Sequence, residues 1–364
     1  MPHQVVLHGR IVLVLALLFL ASACSLTPEI RPIIPPVYPP PPAEARYVFE
    51  GSLRSSNNIT EPTMGDTLRE IATGIRVDPI GIAKPYGIKA IENRVYISDT
   101  QQRAIMVFDL NKRNVTFIGT QGKGRLLKPL GLDISKDKEL YVVDISAKRI
   151  VVYDLDGNYL RSIGNEQIFL RPVSVATHPS KPWIYVVDTG GIDSVKHHVY
   201  IFDRKTGKHL KTIGRRGEQD GEFNLPLQAS MTEDAKLYVV DSANFRVQVF
   251  DENGVFIRKF GTLGRRSGQF SRPKGIATDK QNNVYVVDTA FGNFQIFDPQ
   301  DNLLLFIGTR ATSGGPGFFS LPAGIDVDDE GRIYVGDQFF RKVDIFRPID
   351  VPPRKVFANQ VQQD

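Results

Sequence analysis

The sequence predicts an all-β fold, a single six-bladed β-propeller whose last blade is completed by an N-terminal strand. Three observations predict it. A motif of tyrosine, aliphatic residue, any residue and Asp recurs six times between residues 96 and 337, with successive tyrosines 45, 44, 53, 47 and 49 residues apart. Each copy lies between a Pro-led aliphatic strand and an alternating run such as Arg246-Val247-Gln248-Val249-Phe250-Asp251. Five of the six then show an Asp-rich turn and a strand ending in Gly, at Gly119, Gly164, Gly214, Gly261 and Gly308. Four short strands per repeat, joined by Gly and Asp turns, make the period of a propeller blade. A length of 364 residues would otherwise suggest two or three domains, but a ring of repeats is one.

From the N-terminus, residues 11–20 form an uninterrupted apolar run after Arg10, too short for a mature bilayer-spanning helix but suited to the core of a signal peptide. Ala21-Ser22-Ala23-Cys24 follows, and Cys24 is the single cysteine of the chain. Small residues followed at once by Cys resemble the lipobox of bacterial lipoproteins, with Ala21 where that family usually carries a larger aliphatic. The resemblance implies cleavage before Cys24 and lipidation of it. The competing reading is an ordinary secretory peptide with a chance cysteine. A lone cysteine excludes a disulfide framework and a cysteine-built zinc site. It fits a compartment outside the cytoplasm.

Residues 24–46 read as a lipidated cysteine and a tether. Eight of the 24 prolines fall in residues 28–42, so polyproline II is expected, a semi-rigid spacer of roughly 45 Å. Residues 47–83 hold a closing strand and a lead-in. The segment 47–53 has strand character, and the sixth repeat lacks a fourth strand; pairing the two removes open edges that would otherwise invite aggregation. Residues 66–73 read as one short helix. Residues 84–347 carry the six repeats, and 348–364 a tail expected to be disordered after Pro352.

The repeated elements Pro-x-Gly-Ile-Ala at Pro273, Tyr-Val-Val-Asp at Tyr285, Arg-Val-Gln-Val-Phe-Asp at Arg246 and Gly-Gln-Phe-x-x-Pro at Gly268 resemble the NHL repeat. The resemblance covers essentially the whole folded part. It implies a six-bladed propeller and leaves function open, because the family includes lyases, RNA binders, receptor sensor domains and scaffolds.

In such a blade the inner strand starts where the previous outer strand ends. The loops entering each blade therefore share a face with the loops joining its second and third strands. Mapped this way, charge separates into roughly +9 on that face and −5 on the other. Aspartates opening tight turns account for part of the acidic side. The basic side centres on Lys123, Arg125, Lys128, Arg265, Arg266, Arg272 and Lys274, with Arg215 and Arg216 expected to be neutralised by Glu218, Asp220 and Glu222. An enlarged loop at 189–197 falls on the same face, as do Phe291, Phe318, Phe319, Phe339 and Phe340, candidate contact aromatics of which some are expected to plug between blades.

Catalytic constellations are scarce. The resemblance implies, for amidating lyases of the family, zinc held by histidines beside the channel. Here the corresponding inner-strand positions carry Tyr86-Gly87, Leu130-Gly131, Val173-Ser174, Leu227-Gln228, Lys274-Gly275 and Ala323-Gly324, with no histidine. His178, His197, His198 and His209 sit at blade rims. No metal, cofactor or catalytic residue is therefore assigned. The recurring aspartates Asp99, Asp144, Asp188, Asp241, Asp288 and Asp337 read as backbone caps of their own loops. The leading expectation is a non-enzymatic binding or scaffold module of the bacterial envelope. It would be tethered by lipid, with Ser25 after the cysteine favouring the outer membrane facing the periplasm, and would engage an envelope protein or anionic polymer; nucleic acid is not expected of an exported protein. The alternative is a propeller lyase or lactonase with a channel-mouth site around Tyr86, Gln228 and Lys274.

Overall fold

The structure, a computed structural model, describes residues 34–60, 64–75, 78–191 and 193–357. Cys24 and the apolar leader lie outside the described residues. Six antiparallel sheets of at least four strands surround a central channel. Their innermost strands are Pro85–Ile91, Pro129–Ile134, Pro172–Thr177, Pro226–Met231, Pro273–Thr278 and Pro322–Val327, each packed on the next and the last on the first. Every inner strand opens on proline, whose missing N–H costs nothing at the first residue of a strand.

Between neighbouring blades the core is aromatic and aliphatic. All six repeated tyrosines are buried. Two of their hydroxyls tie neighbouring blades together, as Tyr96 donates to the Leu155 carbonyl at 3.0 Å and Tyr185 to the Glu252 carbonyl at 2.7 Å. The Gly and Phe of the repeat explain each other: Phe169, Phe223, Phe270 and Phe319 are buried where a Cβ on Gly164, Gly214, Gly261 or Gly308 would stand within 2.1–2.8 Å of their rings. Phe319 is thus an inter-blade plug and not a contact aromatic, whereas Phe339 is exposed.

The ring closes as the orphan strand suggested. Tyr47–Leu53 pairs antiparallel with Lys342–Pro348 as the fourth strand of the last blade. A bulge at Glu50 interrupts the register, and such bulges re-aim a side chain. The Glu50 carboxylate reaches Arg332 at 2.9 Å and accepts the Arg354 N–H at 2.6 Å. A helix, Met64–Thr73, leads from this strand toward the first blade.

Two expectations are corrected. The Pro-rich segment is not a free spacer where it is described: Val37–Tyr38 adds a fifth strand to the last blade, and Tyr38 packs edge-on against Phe346 at 5.4 Å. Prolines are compatible with that place because an edge strand needs fewer N–H donors. Nor is the tail disordered after Pro352. Arg354 donates to Asp328 at 3.0 Å and to Tyr334 at 2.5 Å, and Phe357 is buried in a core shared by the sixth and first blades. The tail therefore bolts the seam where the ring closes.

Candidate functional site

The recurring aspartates build the loop face. Asp99 accepts the N–H groups of Ala83 and Lys84 with one oxygen and those of Gln101 and Gln102 with the other. Asp288 does the same for Ser271, Arg272, Ala290 and Phe291. Asp144 and Asp188 hold Lys128 and Arg171 in the same way. Each carboxylate thus ties its own loop to the loop entering the blade, a wider role than the local cap expected. The residue clamped just before the inner-strand proline is Lys84, Lys128, Arg171 or Arg272 in four of the six blades. All four are exposed, so a broken ring of cations surrounds the channel mouth.

Lys123, Arg125, Lys128, Arg265, Arg266 and Arg272 are exposed and have no ion pair among the described residues. They do not form one patch. The loops after the first and fourth blades stand on opposite sides of the ring, with the channel between them. Arg215 pairs with Glu222 at 2.8 Å, as the local acidic residues implied. On the other face three lysines are matched: Lys136 with Glu233 at 2.6 Å, Lys181 with Glu252 at 2.7 Å, Lys280 with Asp329 at 3.1 Å. Asp154, Asp251 and Asp298 there cap their own turns.

Tyr86, Gln228 and Lys274 come together at the mouth. The Lys274 ammonium stands 5.1 Å from the Tyr86 ring centroid and 3.5 Å from Oε1 of Gln338. Burial, reinforced by repulsion from Lys84 and Arg272 and opposed by Asp337, pushes its pKa down to about 8. Burial raises the Tyr86 phenol to about 12, against the pull of Gln228 beside it and of Arg171.

A second cluster lies deeper, in a channel cavity of about 820 Å³ whose lining reaches the loops of the acidic face. The Lys89 ammonium is held between Asp326 at 3.0 Å and Asp133 at 3.3 Å. Thr177 donates to Asp133 from its hydroxyl and its N–H, and Ala90 donates to Asp326. Burial opposes the Lys89 charge, but the two carboxylates outweigh it and raise its pKa; burial lifts Asp326 to about 6 against the Lys89 charge. This cluster escaped the sequence reading, although a signal exists: aligned on the inner-strand prolines, Lys89, Asp133 and Asp326 are charged residues at the same offset in otherwise aliphatic strands.

The histidines are engaged elsewhere. His178 meets Glu252 at 3.0 Å, His197 accepts the Leu225 N–H at 3.1 Å, and His198 meets the Gly214 carbonyl at 2.8 Å. Among the described residues no three His, Cys, Asp or Glu side chains are grouped to hold a metal ion.

A family model described as a 6-bladed beta-propeller matches residues 78–191 and 228–300, just over half the chain, and the chain belongs to that family. Similar solved structures include a protein of unknown function from Bacteroides thetaiotaomicron, with a TM-score of 0.62 and 17% identity over 82% of this chain and 76% of that one. A virginiamycin B lyase from Staphylococcus aureus has a TM-score of 0.51 and 15% identity over 73% of this chain and 95% of the other. An auxiliary nutrient binding protein from Bacteroides thetaiotaomicron has a TM-score of 0.57 and 14% identity over 74% and 70%. At such identities the likeness is one of fold.

Proposed function

We propose that this member of the 6-bladed beta-propeller family is a non-enzymatic binding module of the bacterial cell envelope. In this reading it is held to a membrane by lipid on Cys24, on the periplasmic side of the outer membrane. It engages an envelope protein or polymer of acidic character through its basic loop face. One observation carries the reading: Lys123, Arg125, Lys128, Arg265, Arg266 and Arg272 on that face have no ion pair among the described residues, while Lys136, Lys181 and Lys280 on the opposite face pair with carboxylates. Unpaired surface charge of one sign steers an oppositely charged partner and costs little in solution.

In-cell crosslinking and affinity capture test this, comparing the wild-type chain with K123E/R125E/R265E/R266E. Capture of one partner that the variant loses is the expected result. Identical capture by both chains would refute the role of this face. Palmitate labelling of the wild type but not of C24A checks the anchor.

A further inference from the structure

We propose that the channel mouth on the basic face binds one oxyanion group, a carboxylate or a sulfate- or phosphate-type ester, held by Lys274, Gln228 and Tyr86. This rests on the reading of that face as ligand-binding, and it names the chemistry at its centre.

The inner strands approach so closely at this level that side chains are nearly excluded. A Cβ on Gly87, Gly131, Gly275 or Gly324 would stand 2.1–2.7 Å from backbone atoms of the next blade. The equivalent residues of the third and fourth blades are Ser174 and Gln228, so Gln228 is the single long side chain at this register. It is only 7% exposed, it lines the channel, and beyond the Tyr86 phenol beside it its buried Nε2 has no hydrogen-bond partner among the described residues. A buried amide donor left unpaired is costly, and one that persists points to an acceptor supplied from outside.

Lys274 is in the same position. It has no carboxylate partner; its one polar contact is the Gln338 amide oxygen, at 3.5 Å. The nearby Asp337 is occupied with the N–H groups of Ser320, Leu321, Phe339 and Phe340. Lys84 and Arg272 add positive charge beside it, and Arg171 beside Tyr86. The constellation is rich in donors and positive: an ammonium, a free amide N–H and a phenol, rimmed by three exposed cations. An oxyanion accepts from the ammonium and the amide together and relieves the repulsion among the cations.

Calorimetric titration with sodium sulfate and with sodium glucuronate, at constant ionic strength and pH 7, separates the ester-like from the carboxylate form. Saturable binding of either probe is expected, weakened at least tenfold in K274M and in Q228L and retained in K123E/R125E/R265E/R266E. Sulfate keeps its charge over pH 6–10, so its binding should fall as pH rises through 8 in the wild type and persist in K274R. Lys84, Arg272, Asp337 and Tyr86 surround the amine in both chains. Binding of neither probe, or loss in the loop variant with retention in K274M, overturns the site and leaves the partner-capture result standing on its own.

Discussion

Substituting Glu50 by alanine tests how the ring is closed. Glu50 turns inward at the bulge of the closing strand, and its side chain and that of Arg332 are 1% and 3% exposed. The pair meets at 2.9 Å, and the second carboxylate oxygen holds the Arg354 N–H at the head of the docked tail. Removing Glu50 leaves Arg332 only the exposed Glu330 as a partner and strands the Arg354 N–H, a cost toward the lower end of the about 3–5 kcal/mol for breaking a buried pair. For a domain of this size 1 kcal/mol moves the melting temperature by roughly 2–4 °C, so E50A should melt at least ~6 °C below the wild type. Thermal unfolding followed by circular dichroism measures it, with the exposed Glu44→Ala as control. Because the pair is shielded from solvent, 0.5 M salt should change the difference little. The R332A/E50A double variant should lose less than the two single losses combined, since each single change strands the other member and the double change strands neither. A melting temperature within ~2 °C of wild type would refute the clasp.

In the channel, K89M strands two carboxylates and should destabilise more than D326N, which leaves Lys89 with Asp133; equal losses in urea unfolding would contradict the triad. Asp326 should titrate near 6 by carbon NMR. Its folded pKa lies above the ordinary 3.8, so the folded state holds more protons between those values. The stability it contributes is full below about pH 4 and is lost as pH rises through 6; titration near 4 would sink the assignment. Phe357→Ala should cost about 3–5 kcal/mol because the ring is fully buried at the blade seam, and a loss below ~1 kcal/mol in denaturant melts would show the tail undocked.

Much of the fold was legible because a propeller repeats its reasons. The inner-strand proline, the buried tyrosine, the clamping aspartate and the Gly–Phe plug recur at fixed offsets, and each recurrence answers the same packing problem. The closing strand could be inferred by subtraction, since the sixth repeat lacked its outer edge. The Pro-rich segment and the tail were misread because composition reports what a segment does alone. It could not report that Val37 and Tyr38 would meet an open edge of Val48 and Tyr47, or that Arg354 would find Tyr334 and Asp328.

The candidate site divides along the same line. Charge sorting between the faces follows from chain order alone, because loop membership fixes the face. The diametric separation of the Lys123 and Arg265 loops needed the ring. The meeting of Tyr86, Gln228 and Lys274 at the mouth was legible, because each follows an inner-strand proline by one or two residues, whereas that of Lys89 with Asp133 and Asp326 needed the ring. The sequence by itself determined the scaffold, since local patterns repeated six times specify strands, turns and their sides. The tertiary structure alone decided that Lys89, Asp133 and Asp326 converge at the axis. Those positions lie at one offset in separate repeats, and only closure of the ring brings them within reach of one another.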